Sequence, residues 1–176
     1  MDMNAIIENL KTRRSVRAYK AEMPDQTLID QVLEAGIYAP TGKNMQTPII
    51  VEVTNKEVRD KLSRLNAAVL GVNADPFYGA PVVLVVLASR DFPTYVYDGS
   101  LVMGNLMNAA HSLGLATCWV HRAREVFDSE EGKALLREWG IEGDYEGIGH
   151  CILGYAKSDT LLAAKPRKEK YVYKVE

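Results

Sequence analysis

Val82-Val83-Leu84-Val85-Val86-Leu87 is continuously apolar and rich in β-branched residues, and it follows a stretch of turn residues from Asp75 to Pro81. A half-exposed strand alternates apolar and polar positions, so a run without alternation predicts a central strand with both faces covered by helices. The chain supplies such helices. Met3, Ile6, Ile7 and Leu10 recur at helical spacing, which predicts an amphipathic helix over about Asn4 to Thr12. After Pro24, the positions of Leu28, Ile29, Val32, Leu33 and Ile37 predict a second helix, stopped by Ala39-Pro40 because proline disfavours helix in its predecessor. Val58, Leu62 and Leu65 mark a third. A fourth is expected from Asp98, as its N-cap, to Leu113, ending at Gly114, and a fifth from Ser129 to Trp139, closed by Gly140.

Ile49 to Val53, Leu115 to His121 and Ile148 to Tyr155 read as further strands. Several helices precede the first convincing strand, so the pattern favours an α+β sheet with mixed strand directions over a regular doubly wound fold. A single domain over residues 1–176 is expected, since a chain of this size buries roughly 70% of its unfolded surface in one core. Residues from about 157 to 176 form an extended tail whose last part, 165–176, carries five Lys/Arg and two Glu.

Charge and cysteine usage exclude several classes. With 21 Lys+Arg against 23 Asp+Glu, the chain lacks the overall basic footprint of a nucleic-acid binder. The tail alternates cations with Tyr171 and Tyr173 and has no apolar helical face for a membrane surface. Val82 to Ala88, the longest apolar run, is about half of what a helix needs to cross a bilayer. Cys118 and Cys151, both in apolar runs, predict reduced thiols, and the N-terminal residues do not read as an export signal, so a cytoplasmic protein is expected.

Familiar chemical motifs mostly fail. In Gly147-Ile-Gly149-His-Cys-Ile-Leu-Gly154 the third glycine comes too late for a dinucleotide loop. Gly42-Lys43 is followed by Asn44, where a triphosphate loop needs Ser or Thr. Cys118 with His121, and His150 with Cys151, resemble metal-ligand pairs, but on strands such spacings put the members on opposite faces, so no metal site is expected. His111 reads as a hydrogen-bonded helix residue. No Gly-x-Ser-x-Gly elbow appears, and no Ser or Cys can be given a base. With hydrolase chemistry unsupported, the search turns to cofactor chemistry, in which the protein binds and orients.

Arg13-Arg14-Ser15-Val16-Arg17 offers three guanidinium forks and a hydroxyl within five residues, a set suited to a phosphate monoester. The same run at the end of the first helix also suits a solvated cap on the helix dipole. Four motifs taken together resemble the nitroreductase family: Arg13 to Tyr19; Ala39-Pro40-Thr41-Gly42-Lys43-Asn44-Met45-Gln46-Thr47-Pro48; Gly114-Leu115-Ala116-Thr117-Cys118-Trp119; and Lys165-Pro166-Arg167-Lys168. They occur in the family's order and span essentially the whole chain, as a compact member.

That resemblance implies an α+β sandwich around a mixed central sheet flanked by helices, and an intertwined homodimer with one FMN in each of two interfacial sites. Arg13, Arg14, Ser15 and Arg17 would hold the phosphate and ribityl chain, joined by Lys165 and Arg167. Asn44 and Gln46 would reach the flavin from the partner subunit. The stretch Cys118, Trp119, Val120, His121 would run along the isoalloxazine and offer backbone N–H near N5. The family usually places a small residue near the position of His121, so the imidazole is a departure that bears on pocket width. The implied activity is two-electron transfer from NAD(P)H through flavin N5 to a nitroaromatic, quinone or similar small acceptor, in ping-pong order, with no catalytic side chain. The rival is a flavin-binding or flavin-sequestering protein with little turnover.

Overall fold

The computed structural model describes residues 4–158 and 163–176. Helices α1 (Ala5–Thr12) and α2 (Gln26–Ile37) lead to a short 3-10 turn at Gly42–Asn44 and strand β1 (Pro48–Val53). Helix α3 (Lys56–Leu70), strand β2 (Val82–Ser89), helix α4 (Tyr95–Ser112) and strand β3 (Ala116–Val120) follow. The chain continues through α5 (Ala123–Asp128), α6 (Glu130–Glu138) and β4 (Tyr145–Gly154).

The strands form one sheet in the order β1-β2-β4-β3. As the unbroken apolar run requires, β2 lies inside the sheet, and its side chains divide by parity. Val83, Val85 and Leu87 enter a core with Leu62, Phe77, Val126, Phe127 and Leu135 from the α3, α5 and α6 side. Val82, Leu84, Val86 and Ala88 enter a second core with Ile29, Val32, Val102, Met103 and Leu106 from α2 and α4. β2 as a whole is buried. Burying a Val or Leu side chain contributes about 1.5–3 kcal/mol, so the apolar run Val82 to Ala88 is a large source of the driving force for folding.

Two sequence expectations need correction. The sheet is not generally mixed: its three ladders are antiparallel, and the parallel direction is confined, among the described residues, to the bridge Ser15↔Thr117 outside β3. An antiparallel sheet can carry helices on both faces when the connections are themselves helices, a choice the apolar pattern cannot register. Asp98 is not an N-cap. The helix begins one turn earlier, at Tyr95, and the buried Asp98 carboxylate instead accepts from Gly42 N–H (3.0 Å) and Thr94 Oγ1 (2.9 Å). The short helix α5 lay outside the sequence reading, because six residues barely complete one helical repeat.

The glycines of the rejected dinucleotide motif have a packing role. Strand β4 starts at Tyr145, so Gly147 and Gly149 lie inside it. A Cβ at Gly147 would strike the backbone of Ala123, and one at Gly149 would strike the Trp119 indole. A bulge opposite Val86/Leu87 turns Ile148 toward α4, where Gly99 leaves space for it.

Candidate cofactor site

The cationic segment after α1 is laid against the exposed edge of the sheet. Val16 N–H donates to Thr117 O (3.0 Å), beside the Ser15↔Thr117 bridge. Further along, Lys20 N–H donates to Tyr155 O (2.9 Å) and Lys157 N–H to Ala18 O (3.0 Å). Tyr19 anchors the segment through its ring, which lies in the core, and its hydroxyl, which donates to Val16 O (2.9 Å). Backbone pairing thus fixes where the guanidinium groups start.

Between this segment and the sheet lies a cleft of about 280 Å³. Its walls include Arg13, Arg14, Lys20, His111 and the stretch Gly114 to Thr117. The two leading arginines have different roles. Arg14 Nη1 donates to the carbonyls of Lys11 (2.7 Å) and Arg13 (2.8 Å), which makes it a cap for the last turn of α1. Arg13 Nη1 is buried and has no hydrogen-bond partner among the described residues. A buried cationic donor left unpaired is costly, and an anion accepting its hydrogen bond is the ordinary remedy. The donor set therefore fits a phosphate monoester.

His111 stands on α4 in the same cleft. Its Nε2 lies 2.9 Å from Thr12 Oγ1. Burial lowers its pKa below the ordinary imidazole value, and the nearby charges of Arg13 and Arg14 add to that. The hydrogen-bonded role expected from sequence is present, whereas the shared cleft with Arg13, distant along the chain, is visible only in the fold.

Other residues singled out from sequence lie elsewhere in the chain. Arg17 is exposed beyond the Ser15 bridge. Lys165 and Arg167 stand exposed on the extended tail and do not line the cleft. Cys118 and Val120 point into the α5 core, while Trp119 packs toward the α4 side, so the strand can offer a ligand mainly its backbone. Cys151 lies in the opposite core from Cys118, and burial pushes its thiol up to about 12, the behaviour of a small hydrophobe.

Asn44 and Gln46 sit in an exposed loop of unusual conformation. Lys43, Asn44 and Gln46 all have positive φ (49°, 55° and 52°), a region that costs a non-glycine residue roughly 1–3 kcal/mol. Asp98 holds the loop at Gly42 N–H, Thr41 Oγ1 accepts from Gln46 N–H (3.0 Å), and Gln46 Nε2 donates to Asn44 Oδ1 (3.3 Å). Strain of this kind persists only where the surroundings over-determine it, so the two amides are held ready rather than left to fold at random.

The corner after β3 is fixed from α3. Asn66, fully buried, donates through Nδ2 to His121 O (2.8 Å) and lies 3.3 Å from His150 Nδ1. The next residue, Arg122, has φ 78°. His150 is packed between Phe77 and Phe127, with ring centroids 5.1 and 6.0 Å away, and burial lowers its pKa to about 3. Sequence reasoning missed Asn66 and the buried part played by Asp98, because a polar residue's tertiary partner leaves no periodic trace.

The fold is a helix-covered antiparallel sheet with a cation-lined cleft along one edge. The nitroreductase-family model matches residues 10–74 and 67–155, and the chain belongs to the nitroreductase family. The crystal structure of a nitroreductase with bound FMN from Bacteroides fragilis superposes with a TM-score of 0.90 at 28% identity, covering 99% of this chain and 100% of that one. A second FMN-bound nitroreductase, from Desulfitobacterium hafniense, gives a TM-score of 0.86 at 27% identity over 98% and 99% of the two chains. An FMN reductase [NAD(P)H] of Bacillus subtilis is 30% identical over 134 residues, which span 65% of this chain and 53% of that protein.

Proposed function

We propose that this chain is an FMN-dependent oxidoreductase that takes electrons from NAD(P)H and passes them to a small acceptor such as a nitroaromatic or quinone. The observation that carries the reading is the buried, unpartnered Nη1 of Arg13 in a cleft that fits a phosphate monoester. Support comes from the FMN held by the two similar nitroreductase structures and from the NAD(P)H in the name of the Bacillus relative. FMN, when bound, would supply the two-electron chemistry at N5 between NAD(P)H and the acceptor, with ping-pong order as the proposed kinetic scheme.

The chain's own residues bind and orient. Arg13 and Ser15 would hold the phosphate end, with Arg14 fixing the end of α1 and Arg17, Lys165 and Arg167 adding positive charge. Backbone groups at Cys118 to His121, the last held at its carbonyl by Asn66, would face the ring. Asn44 and Gln46 would come from a partner subunit. Homodimer formation is supported by large apolar side chains left exposed on three helices: Ile6 and Leu10 on α1, Ile37 on α2, Tyr97 and Leu101 on α4.

The test is the visible spectrum of the freshly purified protein, with identification of any chromophore released by heat. Stoichiometric FMN is expected. A colourless protein that also refuses added FMN would overturn the reading. Oxidation of NADH by the flavin-loaded protein then separates an enzyme from a protein that only sequesters flavin. Arg17→Ala and Arg167→Ala are each expected to weaken FMN binding, and unchanged affinity in both would remove them from the phosphate site.

A further inference from the structure

His111 is the titratable group of the cleft that the phosphate reading leaves unused. Its immediate geometry defines its protonation. Thr12 Oγ1 donates its proton to Glu8 O at 2.8 Å, so the hydroxyl oxygen is left to accept from His111 Nε2–H at 2.9 Å. With the hydroxyl proton so placed, the neutral ring carries its proton on Nε2, and Nδ1 is the basic atom. The charged and titratable groups that line the cleft with it are Arg13, Arg14, Lys20 and Tyr155, with no carboxylate among the lining residues. Glu8, the acid of α1, lies outside that lining and stands 4.0 Å from Lys11 Nζ.

With Arg13, Arg14 and Lys20 in its lining and no carboxylate among the described lining residues, the cleft disfavours a further positive charge. A phosphate monoester beside Arg13 reverses that field, because its negative charge offsets the guanidinium groups and favours imidazolium. We propose that His111 is a further anion-binding residue of this cleft, which takes up a proton at Nδ1 when a phosphate monoester binds and so makes the site prefer phosphorylated to unphosphorylated flavin. The proposal rests on the FMN reading above. Burial and the two arginines, which together keep the free imidazole neutral near physiological pH, provide the reserve of basicity that the ligand recovers.

The sign follows from linkage. A group more basic in the complex than in the free protein strengthens binding at low pH, and that gain is lost as pH rises between the two titrations. At most one proton is involved, so FMN affinity falls by up to tenfold per pH unit in that window relative to a variant that cannot protonate. The phosphate's own second ionisation acts on both proteins alike and drops out of the comparison.

The experiment is calorimetric titration of the full-length, flavin-free protein with FMN and with riboflavin, in two buffers of different ionisation heat, for the wild type and His111→Gln. The wild type is expected to take up a larger fraction of a proton on FMN than the variant, and to show no such excess with riboflavin. Equal proton uptake by both proteins while both bind FMN overturns the role of His111. Wild type that binds no FMN overturns the FMN reading itself. If the variant does not fold, NMR titration of the His111 ring in the wild type with and without FMN decides the matter: a raised titration midpoint supports the proposal and an unmoved one refutes it.

Discussion

Replacing Arg13 by Met separates cofactor binding from folding, because the two effects have opposite signs. Met keeps most of the aliphatic arm and removes the charged head. In the flavin-free chain that head includes a buried Nη1 with no hydrogen-bond partner among the described residues, and an unsatisfied buried donor costs about 1–3 kcal/mol. Removing it offsets the small packing loss, so the flavin-free variant is expected to melt at the wild-type temperature or a few degrees above, given roughly 2–4 °C per kcal/mol for a chain of this size. With FMN the order inverts. A charge-assisted hydrogen bond to phosphate is worth about 1.5–3 kcal/mol, which is roughly a ten- to hundredfold rise in Kd. The stabilisation that FMN confers at fixed concentration shrinks accordingly. Flavin fluorescence quenching gives Kd, and thermal unfolding with and without FMN gives the two stabilities. A flavin-free variant that melts well below wild type would make Arg13 a structural residue, and an unchanged Kd would remove it from the phosphate site.

Three further outcomes follow from the packing and the charges. His150, lowered to about 3 by burial, is neutral in the fold and protonated in the unfolded chain at pH values between there and its ordinary 6.5. Stability is therefore full above about pH 6.5 and falls by about 1.4 kcal/mol per pH unit on acidification through that window; urea melts of wild type and His150→Gln at pH 6 and pH 5 check this, and equal slopes would refute it. Arg90 joins Asp128 (2.8 Å), Asp144 (2.9 Å) and the buried Glu146 (3.1 Å), which also accepts from Tyr95 Oη at 3.0 Å. Arg90→Met leaves the Glu146 carboxylate without its main counterion and is expected to lower unfolding free energy by roughly 2–4 kcal/mol in denaturant titration, with FMN affinity unchanged. Gly149→Val should destabilise by several kcal/mol and alter Trp119 fluorescence, since the indole occupies the space the side chain needs; native stability with an unmoved emission spectrum would contradict that packing.

Much of the architecture follows from local pattern. The unbroken apolar run of β2 demanded cover on both faces, and the spacing in α2 and α3 supplied one helix for each, because amphipathic period is a property of consecutive residues, whereas the same period in α1 leaves Ile6 and Leu10 exposed. The ends of α2 and α4, at Ala39-Pro40 and at Gly114, are likewise set by backbone preferences of the residues themselves. The Arg13 to Arg17 cluster also stood out, since density of positive charge along a chain needs no fold to be seen. Strand direction and the start of α4 did not follow, as neither alters the apolar pattern that a reader can measure.

What only the tertiary structure decided is the division of labour at the site. In sequence Arg13 and Arg14 are equivalent; in the fold Arg14 caps α1 and Arg13 leaves a buried donor without a hydrogen-bond partner among the described residues. His111 gains its significance from Arg13, Asp98 from Gly42, and Asn66 from His121 O, all pairs distant along the chain. Hydrogen bonds between such residues depend on ångström-scale placement by packed elements, and placement of that kind is a property of the assembled sheet and helices, not of any segment read alone.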